Sequence, residues 1–169
     1  MKLFNRKKES VSMKDQLIVF FSEIKYNYRI LEESDQRTVF HLGVGLNIGN
    51  SDAFVLIYHA INLVEITVVS PNNIPENKRM EVAKFLDLAD YITYYGNLQM
   101  NHHDGTIRCK TYFNFGQAYV DLATVSFNFF GAFNMIERYL PGVLRITYGG
   151  KDADSVMAEI NGEINPLNN

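Results

Sequence analysis

The chain has 169 residues, 47% of them apolar, a formal charge of −3 and one cysteine, Cys109. That length and apolar content suit one domain with a substantial core, and the slightly acidic balance excludes a global positive field for nucleic acid. A lone cysteine closes no intrachain disulfide, which fits a reducing compartment and leads to the expectation of a cytoplasmic protein. No run approaches the ~20 apolar residues of a membrane span. Leu17–Phe21 is too short and lacks the small-residue cleavage site of a secretory signal.

Residues 1–12 carry Lys2, Arg6, Lys7 and Lys8 and are expected to be a disordered basic tail. Four such charges, each contributing ~1 kcal/mol at an anionic leaflet, make no membrane anchor without a lipid. A single domain is expected over residues 13–160, with a loose tail over 161–169. Met13, Leu17, Phe20, Phe21, Ile24, Tyr28 and Leu31 recur at helical spacing, which predicts a first helix over Met13–Leu31 capped by Ser12. Arg37–Asn47 alternates Phe40, Leu42, Val44 and Leu46 with His41, Gly43 and Gly45, the period of a strand. A loop over 47–51 leads to strands Phe54–His59 and Leu63–Ser70, and Pro71-Asn72-Asn73 is the expected stop. Pro75 suits a first helical position, and Val82, Phe85, Leu86, Ala89 and Ile92 follow on one helical face.

The segment Asn97–Phe115 predicts a hairpin. Asp104-Gly105 suits a two-residue type I′ turn, which needs positive φ at both positions. Folding about it pairs Met100 with Cys109 and Gln99 with Lys110, and places Phe113 opposite Gly96. Leu98, Met100, His102, Ile107 and Cys109 then share an apolar face, against Gln99, Asn101, Arg108 and Lys110 on a wet one. Gln117–Leu140 reads as a largely apolar helix that Pro141-Gly142 interrupts. Periodicity does not decide between helix and strand for Val143–Tyr148, and Asp152–Ile160 is a short terminal helix. The order α-βββ-α-ββ-α predicts an α+β fold, a five-stranded, mainly antiparallel sheet with helices on one face.

Three segments in this order resemble the YbjN-like proteins, a family also described as bacterial sensory transduction regulators. They are LNIGNSDAF after the first helix and strand, the hairpin NLQMNHHDGTIRCKTYF, and MIERYLPGVLRITYGGKDADSVMAEI. Together they span nearly the whole chain except its tails. The resemblance implies a fold like that of the type III secretion chaperones, a class that binds extended client segments and often dimerises. It implies no cofactor and no catalytic residues. The chain departs from the pattern in its ending NPLNN and in the GVG of its first strand.

Candidate chemistry is sparse. His102 and His103 are adjacent, so on a strand they point to opposite faces and cannot easily share an ion; no C-x-x-C or H-x-x-x-H spacing supports a metal site. His41 and His59 lie on neighbouring strands and could meet across the sheet, and a diagonal His102–Cys109 contact is conceivable. Gly43, Gly45 and Gly49 lack the Lys-Ser/Thr of a phosphate loop. What survives is apolar surplus: Phe127, Phe129, Phe130 and Phe133 crowd one helix, and Tyr26, Tyr58, Tyr94, Tyr95 and Tyr112 add contact area of the kind interfaces use. The expectation is a non-enzymatic, chaperone-like or adaptor-like module that binds another protein. Phe129, Phe133 and Tyr139 are its expected contact residues, with Val82 and Phe85 serving a homodimer. An exposed sheet edge is a rival docking site. The competing class is a small-molecule-binding or catalytic domain using His41, His59, His102 and Cys109.

Overall fold

The computed structural model of the chain describes residues 11–116 and 120–164. The expected basic tail therefore lies almost wholly outside the described residues. Twelve elements include four helices, α1 (Met13–Glu23), α2 (Arg79–Ile92), α3 (Leu122–Gly149) and α4 (Ala153–Ile164). The strands are β1 (Arg29–Glu33), β2 (Arg37–Leu46), β3 (Gly49–Tyr58), β4 (Leu63–Asn73), β5 (Asn97–Met100) and β6 (Thr106–Asn114). Short 3-10 turns occupy His59–Ile61 and Glu76–Lys78. The fold is α+β, with an antiparallel sheet ordered β1-β2-β3-β4-β6-β5.

The sheet has six strands rather than five, because α1 stops eight residues before the expected Leu31. Lys25 adopts φ 58°, and the Tyr26 and Lys25 amides donate to the Phe21 and Ser22 carbonyls at 2.9 and 3.2 Å. Those bonds form a Schellman motif, which satisfies the orphan carbonyls of a helix end. Lysine stands where glycine usually does, so no stop signal was visible, and Tyr28 and Leu31 matched the helical period by coincidence. The freed segment pairs with β2 through a bulge between Ile30 and Glu32.

Other boundaries move for similar reasons. β4 runs through Pro71 to Asn73, its register shifting between Val69 and Asn73. Pro75 precedes a 3-10 turn, and α2 begins only at Arg79. α3 continues through Pro141-Gly142 to Gly149, where Gly150 at φ 68° ends it. An interior proline costs a helix ~3 kcal/mol. Burial of Leu140, Val143 and Ile146, each at most 1% exposed, offsets that loss. α4 reaches Ile164, four residues into the expected loose tail, the rest of which lies outside the described residues.

One sheet face forms the core. Phe40, Leu42, Val44, Val55, Ile57, Val64, Ile66, Val68, Ile107 and Cys109 meet Leu17, Phe20 and Phe21 of α1, the inner stripe of α3, and Val82 and Phe85 of α2. Phe21, Phe40, Phe129 and Phe133 join Tyr26 and Tyr28 in one cluster of ring contacts with centroids 4.8–6.3 Å apart, a spacing at which aromatic pairs attract.

The hairpin keeps its predicted faces but not its predicted register. Met100 pairs with Ile107 and Leu98 with Cys109, two residues from the expected alignment. Asp104 does not have positive φ; only Gly105 does, at 78°. The Gly105 amide closes on the Asn101 carbonyl at 2.8 Å, so a four-residue turn replaces the two-residue one. A shift of two preserves side-chain parity. Leu98, Ile107 and Cys109 therefore stay buried, while Phe113 faces Val64 rather than Gly96.

Candidate functional site

The five expected contact residues lie in the interior. Val82 and Phe85 are fully buried, and Phe129, Phe133 and Tyr139 are at most 6% exposed. They are not surface of this chain: α3 turns Phe129, Phe133 and Tyr139 into the core, Val82 and Phe85 enter it from α2, and α4 closes over the Phe85 side. The groups of the competing class are dispersed. His41 pairs across the sheet with Phe54, whereas His59 follows the Arg37–Tyr58 pair, about 16 Å further along the strands at ~3.3 Å per residue. His41 Nε2 lies 2.6 Å from Asp52 Oδ1, and His59 Nε2 lies 3.1 Å from Thr38 Oγ1. His102 sits in the exposed turn, not on a strand beside Cys109. Burial pushes the Cys109 thiol up to about 12, with the Asp90 charge adding to the effect. Such a thiol is a packing group, not an activated nucleophile.

The apolar surplus does reach the surface, on other residues. Tyr91 is 90% exposed, Tyr94 fully exposed and Phe127 60% exposed, with Ile92, Tyr95 and Phe130 partly so. Local chemistry creates this surface. Thr93 leaves helical geometry at ψ 135°, and its hydroxyl donates to the Ala89 carbonyl at 2.7 Å, closing α2. Asp90 Oδ1 then accepts the Leu98 amide at 2.8 Å, which fixes the start of β5. Between these clamps the chain has four residues, Thr93 to Gly96, and Gly96 turns at φ 73°. So short a loop cannot fold its two tyrosines back into the core.

Tyr95 instead lies along α3. Its ring is 5.1 Å from that of Phe127, and a Cβ on Gly131 would stand 2.9 Å from it. One helical stripe thus presents Phe127, Gly131, Asn134 and Arg138 to the loop. Between loop and stripe lies a cleft of about 340 Å³, walled by Ile92, Tyr94 and Tyr95 on one side and by Asn134 and Arg138 on the other. Met135 and Tyr139 also line it, and the Arg138 guanidinium lies over the Tyr139 ring at 5.3 Å.

Two roomier clefts are closed upon themselves chemically. In a cleft of about 600 Å³ on the hairpin, Arg108 Nε donates to Gln99 Oε1 at 3.1 Å and Asn101 to Asp104 at 2.9 Å. In one of about 500 Å³ beside α1, Lys14 pairs with Glu33 at 2.6 Å and Thr38 with His59. Among the described residues no group of three or more histidine, cysteine or acidic side chains could hold a metal ion, and no helix is long and apolar enough to cross a membrane.

With this geometry in place, the chain can be set against known proteins. No family model matches it, and no curated protein does. Among solved structures, YbjN from E. coli, described as a candidate transcription regulator, superposes with a TM-score of 0.51. The match covers 75% of this chain and 87% of that one, at 13% identity. The chain has the YbjN fold. The likeness is one of backbone architecture.

Two features of the cleft escaped the sequence reading: the role of Gly131 and the position of Arg138. The sequence marks Tyr94 and Tyr95 only as contact area of the kind interfaces use. The available signal was the stripe Phe127-Gly131-Asn134-Arg138, which breaks the apolar pattern of α3 at helical spacing.

Proposed function

We propose that the chain is a non-enzymatic regulatory or adaptor module, chaperone-like in binding another protein, and that the cleft between the α2–β5 loop and α3 is its contact site. The observation that carries this reading is the exposure of Ile92, Tyr94 and Tyr95 along a preformed groove, with exposed Phe127 in ring contact with Tyr95 at its side. Aromatic side chains expose large apolar area at low rotamer cost and dominate protein interfaces, and an exposed apolar patch marks such a surface. The regulator named for the YbjN structure adds support from fold alone. The catalytic alternative receives none from the dispersed histidines or the inert thiol.

Affinity capture from cell extract, quantified by mass spectrometry, tests the reading. Wild type is compared with a Tyr94→Ala, Phe127→Ala double variant and with Tyr148→Ala, a control at an exposed position outside the groove. A protein retained by wild type and the control but lost from the double variant supports it. Identical captured sets for all three chains would falsify it.

A further inference from the structure

Most basic side chains among the described residues are engaged. Lys14, Arg37, Lys84, Lys110, Arg145 and Lys151 meet carboxylates, and Arg79 and Arg108 donate to carbonyl oxygens. Arg138, like Lys25 and Lys78, makes no ion pair among those residues, and of the three it is the one that lines this groove, where it is exposed and no carboxylate is part of the lining. The side-chain amide of Asn134, one helical turn before it on the same wall, also has no hydrogen-bond partner among those residues. The Tyr139 ring supports the guanidinium from one face, which leaves its N–H edge available for a planar acceptor. The opposite wall is apolar, built by Ile92, Tyr94 and Tyr95. At about 340 Å³ the cleft sits at the small end of ligand sites, a size that suits a side chain or two of a partner better than a nucleotide-sized cofactor.

We infer that the groove seats an extended segment of a partner protein in which an aliphatic residue lies close to an aspartate or glutamate. The aliphatic group rests on the tyrosine wall, and the carboxylate meets Arg138 and the Asn134 amide. The inference rests on the proposed function and adds the chemistry of the partner. Charge complementarity selects it: an arginine with no internal acid, already oriented on a ring, completes a charge-assisted pair at little ordering cost. A basic segment would instead meet an unpaired guanidinium.

The probe is a phage-displayed library of fully randomised 12-residue peptides, selected on the immobilised full chain. The expected consensus pairs an aliphatic residue with Asp or Glu within three positions. A synthetic peptide of that consensus is expected to bind about tenfold more weakly to Arg138→Glu and several-fold more weakly to Arg138→Gln, as loss of a charge-assisted bond requires. Replacing the peptide acid by lysine should restore binding to Arg138→Glu and abolish it with wild type. Arg138 is exposed, and circular dichroism checks that each variant is folded. Peptides that bind in the groove, as shown by loss on Gly131→Ala, yet carry no acid overturn the inference and leave the proposed function standing. Peptides indifferent to both Arg138→Glu and Gly131→Ala overturn both. A dimer in light scattering that Arg138→Glu dissociates overturns the inference as well, since a second copy then fills the groove.

Discussion

Two glycines on one helix offer a test in which the intrinsic term cancels. Replacing glycine by alanine inside a helix is favourable by ~1 kcal/mol, and this applies equally at Gly131 and Gly142. Their surroundings differ. A Cβ on Gly142 would stand 2.5 Å from Phe85 Cζ and 3.0 Å from both Ile160 Cδ1 and Val156 Cγ1. Those three walls are sealed: Phe85 and Val156 are fully buried and Ile160 is 5% exposed. Forcing a methyl into such a site costs typically about 1–3 kcal/mol, and the upper part of that range, about 2–3 kcal/mol, applies here because three elements, α2, α3 and α4, must move together. Gly142→Ala is therefore expected to destabilise by about 1–2 kcal/mol net, lowering Tm by roughly 2–8 °C for a chain of this size. At Gly131 the three nearest atoms all belong to the Tyr95 ring, which is 37% exposed and can swing into water. The loss there is one aromatic contact, ~0.5–1.5 kcal/mol, which nearly balances the helix gain. Gly131→Ala is expected to leave stability within about 0.5 kcal/mol of wild type. Urea denaturation followed by far-ultraviolet circular dichroism measures both. If Gly142→Ala matches or exceeds wild type, or if the two variants shift together, the packing described for the centre of α3 is wrong.

Further expectations follow from individual contacts. Burial raises the Asp90 pKa although its carboxylate accepts the Leu98 amide. Asp90→Asn retains an acceptor without the desolvated charge and should hold or raise stability at pH 7. Asp90→Ala strands the amide and should cost about 1–3 kcal/mol; equal urea midpoints for the two variants would contradict this. Because the Cys109 thiol is pushed up to about 12, the folded chain keeps a proton that the unfolded chain releases from about pH 8.5 upward. Its contribution is complete below that pH and is lost as pH rises toward 12. Cys109→Ala should show a shallower alkaline loss of urea stability than wild type, and identical slopes would refute the assignment. Gly105 combines φ 78° with a backbone approach that would bring a Cβ to 2.1 Å from the Ile74 carbonyl oxygen. Gly105→Ala should cost more than 2 kcal/mol by joining strain to overpacking, and a Tm unchanged within 2 °C would show that the hairpin does not dock on Ile74.

The sheet was largely legible because its signal is local. Alternation of period two assigned the inward residues of β2, β4 and β6, and those positions are buried. Register was less legible, since a slip of two residues in the hairpin leaves the side chains that remain on its strands on their predicted faces, and the pattern cannot register it. The missed first strand has a different cause: the stop of α1 depends on Lys25 in a left-handed conformation, which carries no compositional mark. In the candidate site, Tyr94 and Tyr95 were visible as contact residues, but the nominated phenylalanines of α3 and residues of α2 proved to be core.

Sequence alone indicated that residues 117–143 carry more aromatic and aliphatic surface than one sheet face needs. Which rings went inside was a tertiary decision. α3 is apolar on two sides, and its rotation is set only when it packs on the sheet, α1, α2 and α4 at once. That packing turned Phe129 and Phe133 inward and Phe127 outward, and it brought Gly131 beneath Tyr95 and Arg138 to the wall of the groove. These contacts join residues distant in the chain, and no local pattern of residues encodes them.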